Sequence, residues 1–291
     1  MEAPLDKAKL AAPLMNEIAR LNAMAGPLLD DWGKSPAPTV AGRLAAIAED
    51  PRWLYPDNDT GRATAVMGMN GRLDIVRAAL PKVVRTVPPE AAAVTIADSD
   101  GKPGFRDAAG YHVDLSHIRG RPTWTLGSVV HHETLPGHLL QIPMQARAAP
   151  HPYRLQFTQA CSEGWAIYAE QLAAERLELF RGDPLGMLGY IQWRLFRLAR
   201  MAIDLERTPP DRGPARLARV QGFPAAFISF EDDAKHIFAA PGKVAGEMAY
   251  AMELAELAAQ TKLDRRDFHT AVLRHGPLPA RTAERLAMGV V

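Results

Sequence analysis

Apolar residues recur every three to four positions along most of this chain, the spacing of helices that each bury one face. The pattern predicts helices over roughly 5–31 and 39–49. A third follows around 61–80, where the apolar positions Val66, Met67, Leu73, Ile75, Val76 and Leu80 recur every three or four residues after the turn-rich DPRWLYPDNDTG. Residues 91–98 (AAAVTIAD) and about 110–115 (GYHVDL) read instead as short strands, separated by the loop SDGKPGFRDAAG. These two are expected to pair as a small sheet edge. From Trp124 to Arg147 runs a long apolar-periodic segment, followed by helical patterns at about 153–180, 184–206, 214–221, 241–261 and 265–274. The prolines and Gly213 of RTPPDRGP interrupt two of them, because proline cannot continue a helix. The expected fold is mainly α with a small β-sheet edge. It forms one domain over 1–291: a helical N-terminal region over 1–90, a central region over 91–180 with the sheet, and a helical C-terminal region over 181–291.

Composition narrows the function classes. The 291 residues are 47% hydrophobic and 23% charged, an ordinary globular balance with ample material for a core. Net charge is +1 and no basic stripe stands out, so nucleic acid is not an expected partner. The apolar runs are short and interrupted, which argues against a membrane span. Cys161 is the only cysteine, so no intrachain disulfide can form, as fits a reducing compartment. The opening MEAPLDKAKLAAPLMNEIARL is amphipathic and lacks the apolar block of a secretory signal. The expectation is a cytoplasmic protein as the chain stands, or a periplasmic one if a signal has been removed.

The chemistry concentrates in HHETLPGHLLQ. His132 and Glu133 are adjacent, and His138 follows six positions after His132. In the common zinc-peptidase helix the two histidines are four apart and share a face. Six residues turn an ideal helix by roughly 240°, nearly to its opposite side. One metal can be held by both only if the helix is distorted between them. Pro136 and Gly137 supply that distortion: the proline has no N–H to give His132, and the glycine tolerates unusual backbone angles. His131 shares a face with His138 but lies two turns, ~10.5 Å, along the axis, and is better read as a packing or supporting residue.

A two-histidine zinc site usually takes a carboxylate from a neighbouring helix as third ligand. Glu163 and Glu170, in SEGWAIYAEQL, lie seven apart on one face, and spacing alone does not separate ligand from supporting residue. His112, His117, Arg119 and Arg121 precede the histidine cluster and are within reach of a substrate carboxylate, although each alone reads as a loop residue. Arg197, Arg200 and Asp204 share a helical face, for which an ion-pair network is the default.

HHETLPGHLLQ followed by SEGWAIYAEQL resembles the bacterial family catalogued as domain of unknown function 885, regarded as a zincin-like relative of metallopeptidases. The likeness extends over about 45–285, through AAIAEDPRWLYPDN, GYHVDLSHIRGRP, RLARMAIDLER, APGKVAGEMAY and DFHTAVLRHGPLP. It implies a zincin-like helical domain, zinc (or another divalent ion) on His132, His138 and Glu163, and Glu133 as general base. The implied function is hydrolysis of peptide or amide bonds, with a metal-holding, non-catalytic relative as the alternative. Glu170, His131, His112, Arg121 and Tyr250 are the weaker candidates around the metal or substrate. The chain departs from the family in three places. Leu139 replaces the second histidine of Pro-Gly-His-His. The family's Asp-Thr-Gly-x-His is Asp204-Leu205-Glu206-Arg207-Thr208, and an expected tyrosine falls near Glu247. Family members are also much longer, which raises the expectation of a homodimer or of a partner that supplies the N-terminal portion.

Overall fold

The computed structural model describes residues 5–32, 37–157, 159–225 and 228–288. The three N-terminal helices are α1 (Lys7–Trp32), α2 (Val40–Ala48) and α3 (Asp59–Ala79). A single turn, α4 (Pro89–Ala92), leads into the strands β1 (Thr95–Asp98), β2 (Phe105–Arg106) and β3 (Gly110–Val113). The middle of the chain forms α5 (Leu126–Glu133), α6 (His138–Ala146), α7 (Pro152–Phe157) and α8 (Gln159–Gln171), the last continuing as a π-helical turn over Leu172–Arg176. Then come α9 (Pro184–Leu205), α10 (Gly213–Gln221), α11 (Phe230–Ala239), α12 (Lys243–Gln260), α13 (Arg265–Arg274) and α14 (Ala280–Ala287). The fold is mainly helical with one small sheet.

Two expected strands pair, but not as neighbours in a hairpin. β1 runs parallel to β3, and β2 pairs antiparallel on the far side of β3, giving the order β1-β3-β2. β2 lies inside the segment expected to be loop; two residues carry too little periodicity to be read as a strand. The open edge of β1 is met by Asn70 of α3, whose amide accepts from Ile96 N at 3.0 Å and donates to Ile96 O at 2.8 Å. Those bonds satisfy backbone groups that would otherwise invite another strand.

The expected helix over 153–180 is α7 and α8, on either side of residue 158, which lies outside the described residues. Three helices, α11, α14 and the single turn α4, go beyond those that periodicity predicts. α4 takes the first residues of the segment expected as a strand over 91–98, and the strand begins only at Thr95. α11 carries a legible start signal: the Ser229 hydroxyl accepts from Asp232 N at 3.1 Å, and Glu231, Asp232 and Asp233 fill the first turn.

One large cluster of buried side chains runs from α1 to α14 and includes Trp165, Tyr190 and Phe268, each essentially without exposure. Helices α8 and α9 form its centre, so their polar residues need internal partners. At one end, Glu17 and Arg20 of α1 join Arg194 and Tyr190 of α9 through Glu175: Arg20 reaches Glu175 at 2.7 Å, Tyr190 donates to it at 2.6 Å, and Arg194 donates to Glu17 at 3.1 Å.

Candidate metal centre

The segment expected as one distorted helix is two helices. α5 closes on Thr134, whose N–H and hydroxyl both donate to Val130 O, at 3.0 and 2.7 Å. The chain turns through Leu135 and Pro136, and α6 starts afresh at His138 with Gly137 as its N-cap. Gly137 is required by close approach. A Cβ there would lie 1.9 Å from His132 O and 2.6 Å from His131 O. Trp165 of α8 donates its indole N–H to Pro136 O at 3.0 Å and ties the turn to the next helix. Restarting the helix removes the rotational conflict between His132 and His138, whose rings meet edge to face with centroids 4.9 Å apart.

Glu163, in α8, approaches both imidazoles. Its Oε2 lies 3.3 Å from His132 Nε2, and its Oε1 lies 3.4 Å from His138 Nε2. One donor atom from each of the three residues lies within 4.8 Å of the others. These separations are long for good hydrogen bonds. Each is close to the ~3.3 Å edge of a tetrahedron of ligands at zinc-like distances of about 2.0–2.1 Å, although the two run to different oxygens of Glu163. His138 Nε2 is buried and has no hydrogen-bond partner, as expected of a ring nitrogen reserved for a metal. The three donors are grouped as a set that could hold one metal ion, and Glu163, with 36% of its side chain exposed, borders solvent.

The outward nitrogens are fixed. His132 Nδ1 donates to Glu170 Oε1 at 2.8 Å, so Nε2 is the ring nitrogen that faces Glu163 and offers a lone pair once its proton has left. Arg197 donates to the same Glu170 oxygen at 2.7 Å, and the Ser128 hydroxyl donates to Glu170 Oε2 at 2.8 Å. His138 Nδ1 is held by Gln141 Oε1 at 3.0 Å, which also accepts from Ser162 at 3.2 Å. Seven residues apart on one helix, Glu163 and Glu170 bracket His132, one on each ring nitrogen. Burial would raise the Glu163 carboxyl, but the facing imidazoles of His132 and His138 outweigh it and hold it well below the carboxylate range. Glu170 is likewise opposed by burial, yet the charge of Arg197 and the His132 contact hold it at about 2.

Glu133 stands at the end of α5 with 21% of its side chain exposed, and its carboxylate is ion-paired with Arg106 of β2. Arg106 is the register partner of Tyr111 on β3, so both project from one face of the sheet. Tyr111 and the buried Arg121 both feel the charge of Glu133. Burial and the negative charge of Glu133 push the Tyr111 hydroxyl above its ordinary value.

Other expected residues lie elsewhere. His131 is fully buried on the side facing Phe180, ring centroids 5.1 Å apart, and burial drives it down to about 3, so it packs as a neutral ring away from the cluster. His112 alternates to the sheet face opposite Tyr111, where it stacks on Phe105 at 4.3 Å and meets Asp107 at 3.0 Å. The Tyr250 hydroxyl donates to Leu278 O at 2.8 Å while its ring covers Gly164. Arg197, Arg200 and Asp204 do not form one network. Arg197 serves Glu170, Arg200 pairs with Asp233 at 3.1 Å, and Asp204 accepts from Gly242 N and Ala245 N at the start of α12. Gln141, Arg106 and Ser128 join the centre without being singled out by the sequence motifs. Of these, only Gln141, three residues after His138 on a new helix, has a legible spacing.

A pH dependence follows from His132. Burial and Arg197 push its imidazole down, but Glu163 and Glu170 outweigh them and raise it to about 9. Below that pH a metal ion must displace the proton. Apparent zinc affinity should therefore climb by up to about tenfold per pH unit towards pH 9 and then flatten. Calorimetry in buffers of different protonation enthalpy counts the released proton; an affinity unchanged between about pH 6 and about pH 8 would contradict this.

The family model described as "Bacterial protein of unknown function (DUF885)" matches residues 2–286. Among solved structures, "the putative lipoprotein from Colwellia psychrerythraea" is 28% identical with a TM-score of 0.81, over 99% of this chain and 52% of that one. "A putative lipoprotein of unknown function from Shewanella oneidensis" is 17% identical with a TM-score of 0.77, over 98% of this chain and 57% of the other. The chain thus spans little more than half the length of these structures. No curated protein matches it.

Proposed function

The chain belongs to the DUF885 family of bacterial proteins, and from that premise we propose that it is a zinc-dependent hydrolase of peptide or amide bonds. The observation that carries this reading is the spacing of His132, His138 and Glu163, whose 3.3 and 3.4 Å separations suit ligands of one ion. When bound, zinc lowers the pKa of water towards ~7 and polarises an amide carbonyl. The protein's own residues do the rest. Glu170 and Gln141 keep both imidazoles in the tautomer that offers Nε2. Arg106 pairs with Glu133 as a carboxylate, the form able to accept a proton. Glu133 takes a proton from the attacking water and returns it to the leaving nitrogen. Tyr111 and Arg121, which feel the charge of Glu133, are the donors assigned to the charge that develops on the carbonyl oxygen.

A lipoprotein-described relative at 28% identity supports an exported setting for this enzyme. Among the described residues no helix is long and apolar enough to cross a membrane. A second reading, a metal-holding protein without hydrolysis, is favoured by one observation. Thr208, which stands where the family resemblance leads one to expect a histidine, instead accepts from Arg216 at 3.0 Å, away from the ligand set.

The test begins with elemental analysis. Protein offered zinc should hold about one ion per chain, and His138→Ala should hold none. A short-peptide panel assayed with and without a chelator then separates the two readings. Chelator-sensitive cleavage supports the hydrolase, and a filled site with no cleavage supports the second reading. No metal in the wild type sinks both.

A further inference from the structure

Glu247 contributes nothing to the ligand set, yet it packs against the helix that carries Glu163 and feels the charge of that carboxylate. α12 crosses α8 at Gly164, where a Cβ would come within 2.8 Å of Glu247 O, so Glu247 lies beside the residue that follows Glu163. Its side chain is 7% exposed. Among the described residues its carboxylate has no hydrogen bond or ion pair. Burial and the negative charge of Glu163 disfavour its ionised form, opposed by the charges of Arg200, Arg197 and Lys243.

Each of those cations is committed or remote. Arg197 donates to Glu170 at 2.7 Å, Arg200 to Asp233 at 3.1 Å, and Lys243 is exposed one turn earlier on α12. The other acidic residues of the centre have partners: Glu133 has Arg106, Glu170 has Arg197, and Glu163 has the two imidazoles or an ion between them. Glu247 is the one for which the described residues provide none. A buried carboxylate left that way is costly unless a cation arrives with the ligand.

We propose that Glu247 receives the free α-ammonium group of a peptide substrate, so that the hydrolase acts from the amino terminus. Position selects this cation over a lysine side chain. Glu247 lies beside Gly164, the residue next to Glu163, and the α-ammonium is two bonds from the carbonyl carbon under attack, whereas a side-chain ammonium is several further away. The inference rests on the metal-hydrolase reading above and adds the class of substrate.

The test uses zinc-loaded protein and a binding readout that needs no turnover. L-leucine hydroxamate and its N-acetyl derivative are titrated into wild type and Glu247→Gln by calorimetry, with zinc content and thermal melting recorded for both proteins. Wild type should bind the free amine at least about tenfold more tightly than the acetylated form, and Glu247→Gln should reduce that preference to within about threefold. Equal binding of the two compounds by wild type overturns this proposal and leaves the metal reading standing; this comparison decides even if the variant folds poorly. A preference that survives in a well-folded Glu247→Gln also overturns it. If wild type binds neither hydroxamate, the hydrolase reading fails and takes this inference with it.

Discussion

Glu133→Gln is expected to lower turnover of any peptide this protein cleaves by about 10²- to 10⁴-fold while leaving zinc in place. The amide keeps the shape of the carboxylate and an oxygen to face Arg106, but it cannot accept a proton. Glu133 is outside the group of donor atoms that surround the ion site, so the metal should stay. The lost ion pair with Arg106 involves side chains 31% and 21% exposed, and such a pair contributes at most about 1 kcal/mol. Stability should therefore barely move. The measurement is kcat on a substrate from the peptide panel, with zinc content and a denaturant midpoint alongside. Wild-type turnover in the variant would remove Glu133 from the mechanism. Loss of zinc would show instead that Glu133 helps to hold the centre together.

The second large effect is expected at Gly137, where the side chain added is a single methyl. Its Cβ would fall 1.9 Å from His132 O, and the obstructing atoms are backbone. A flexible side chain can swing aside, but here the break between α5 and α6 itself must open. Gly137→Ala should therefore cost about 3 kcal/mol of folding stability, the upper end of what overpacking costs. It should also abolish tight zinc binding, because opening the turn separates His132 from His138. Calorimetric zinc titration and chemical denaturation check the two halves separately. Tight binding retained by the alanine variant would show that the close turn is not what unites the ligands. A contrasting substitution is available at Gly71, where a Cβ meets nothing within 4 Å; alanine there should be innocuous.

Much of this architecture is legible in the sequence. Helical periodicity locates most of the helices, because a helix that buries one face must repeat its apolar residues at helical spacing. The Pro136-Gly137 pair marks where the histidine helix cannot continue, since it removes an N–H and a Cβ at adjacent positions. The residue types of the centre, two imidazoles with carboxylates on a following helix, are also readable. The extent of the break is not. The sequence predicts a kink, and the chain instead ends one helix at Glu133 and begins another at His138. The two-residue strand β2 escapes a sequence reading for a related reason: its pairing partner, not its own pattern, makes it a strand.

Which residues share a face of each helix follows from the order of amino acids alone. What that face meets follows only from packing. Glu163 and Glu170 are equivalent by spacing and become different only because His132 projects between them, presenting Nε2 to one and Nδ1 to the other. Arg106 reaches Glu133 from the edge of the sheet, Gln141 reaches back to His138 from a helix that had to restart, and Glu247 arrives from α12 across Gly164. Periodicity is a property of one segment and its own backbone. The contacts that build this centre join segments far apart in the chain, and they are set by how α5, α6, α8, α9 and α12 pack around one core.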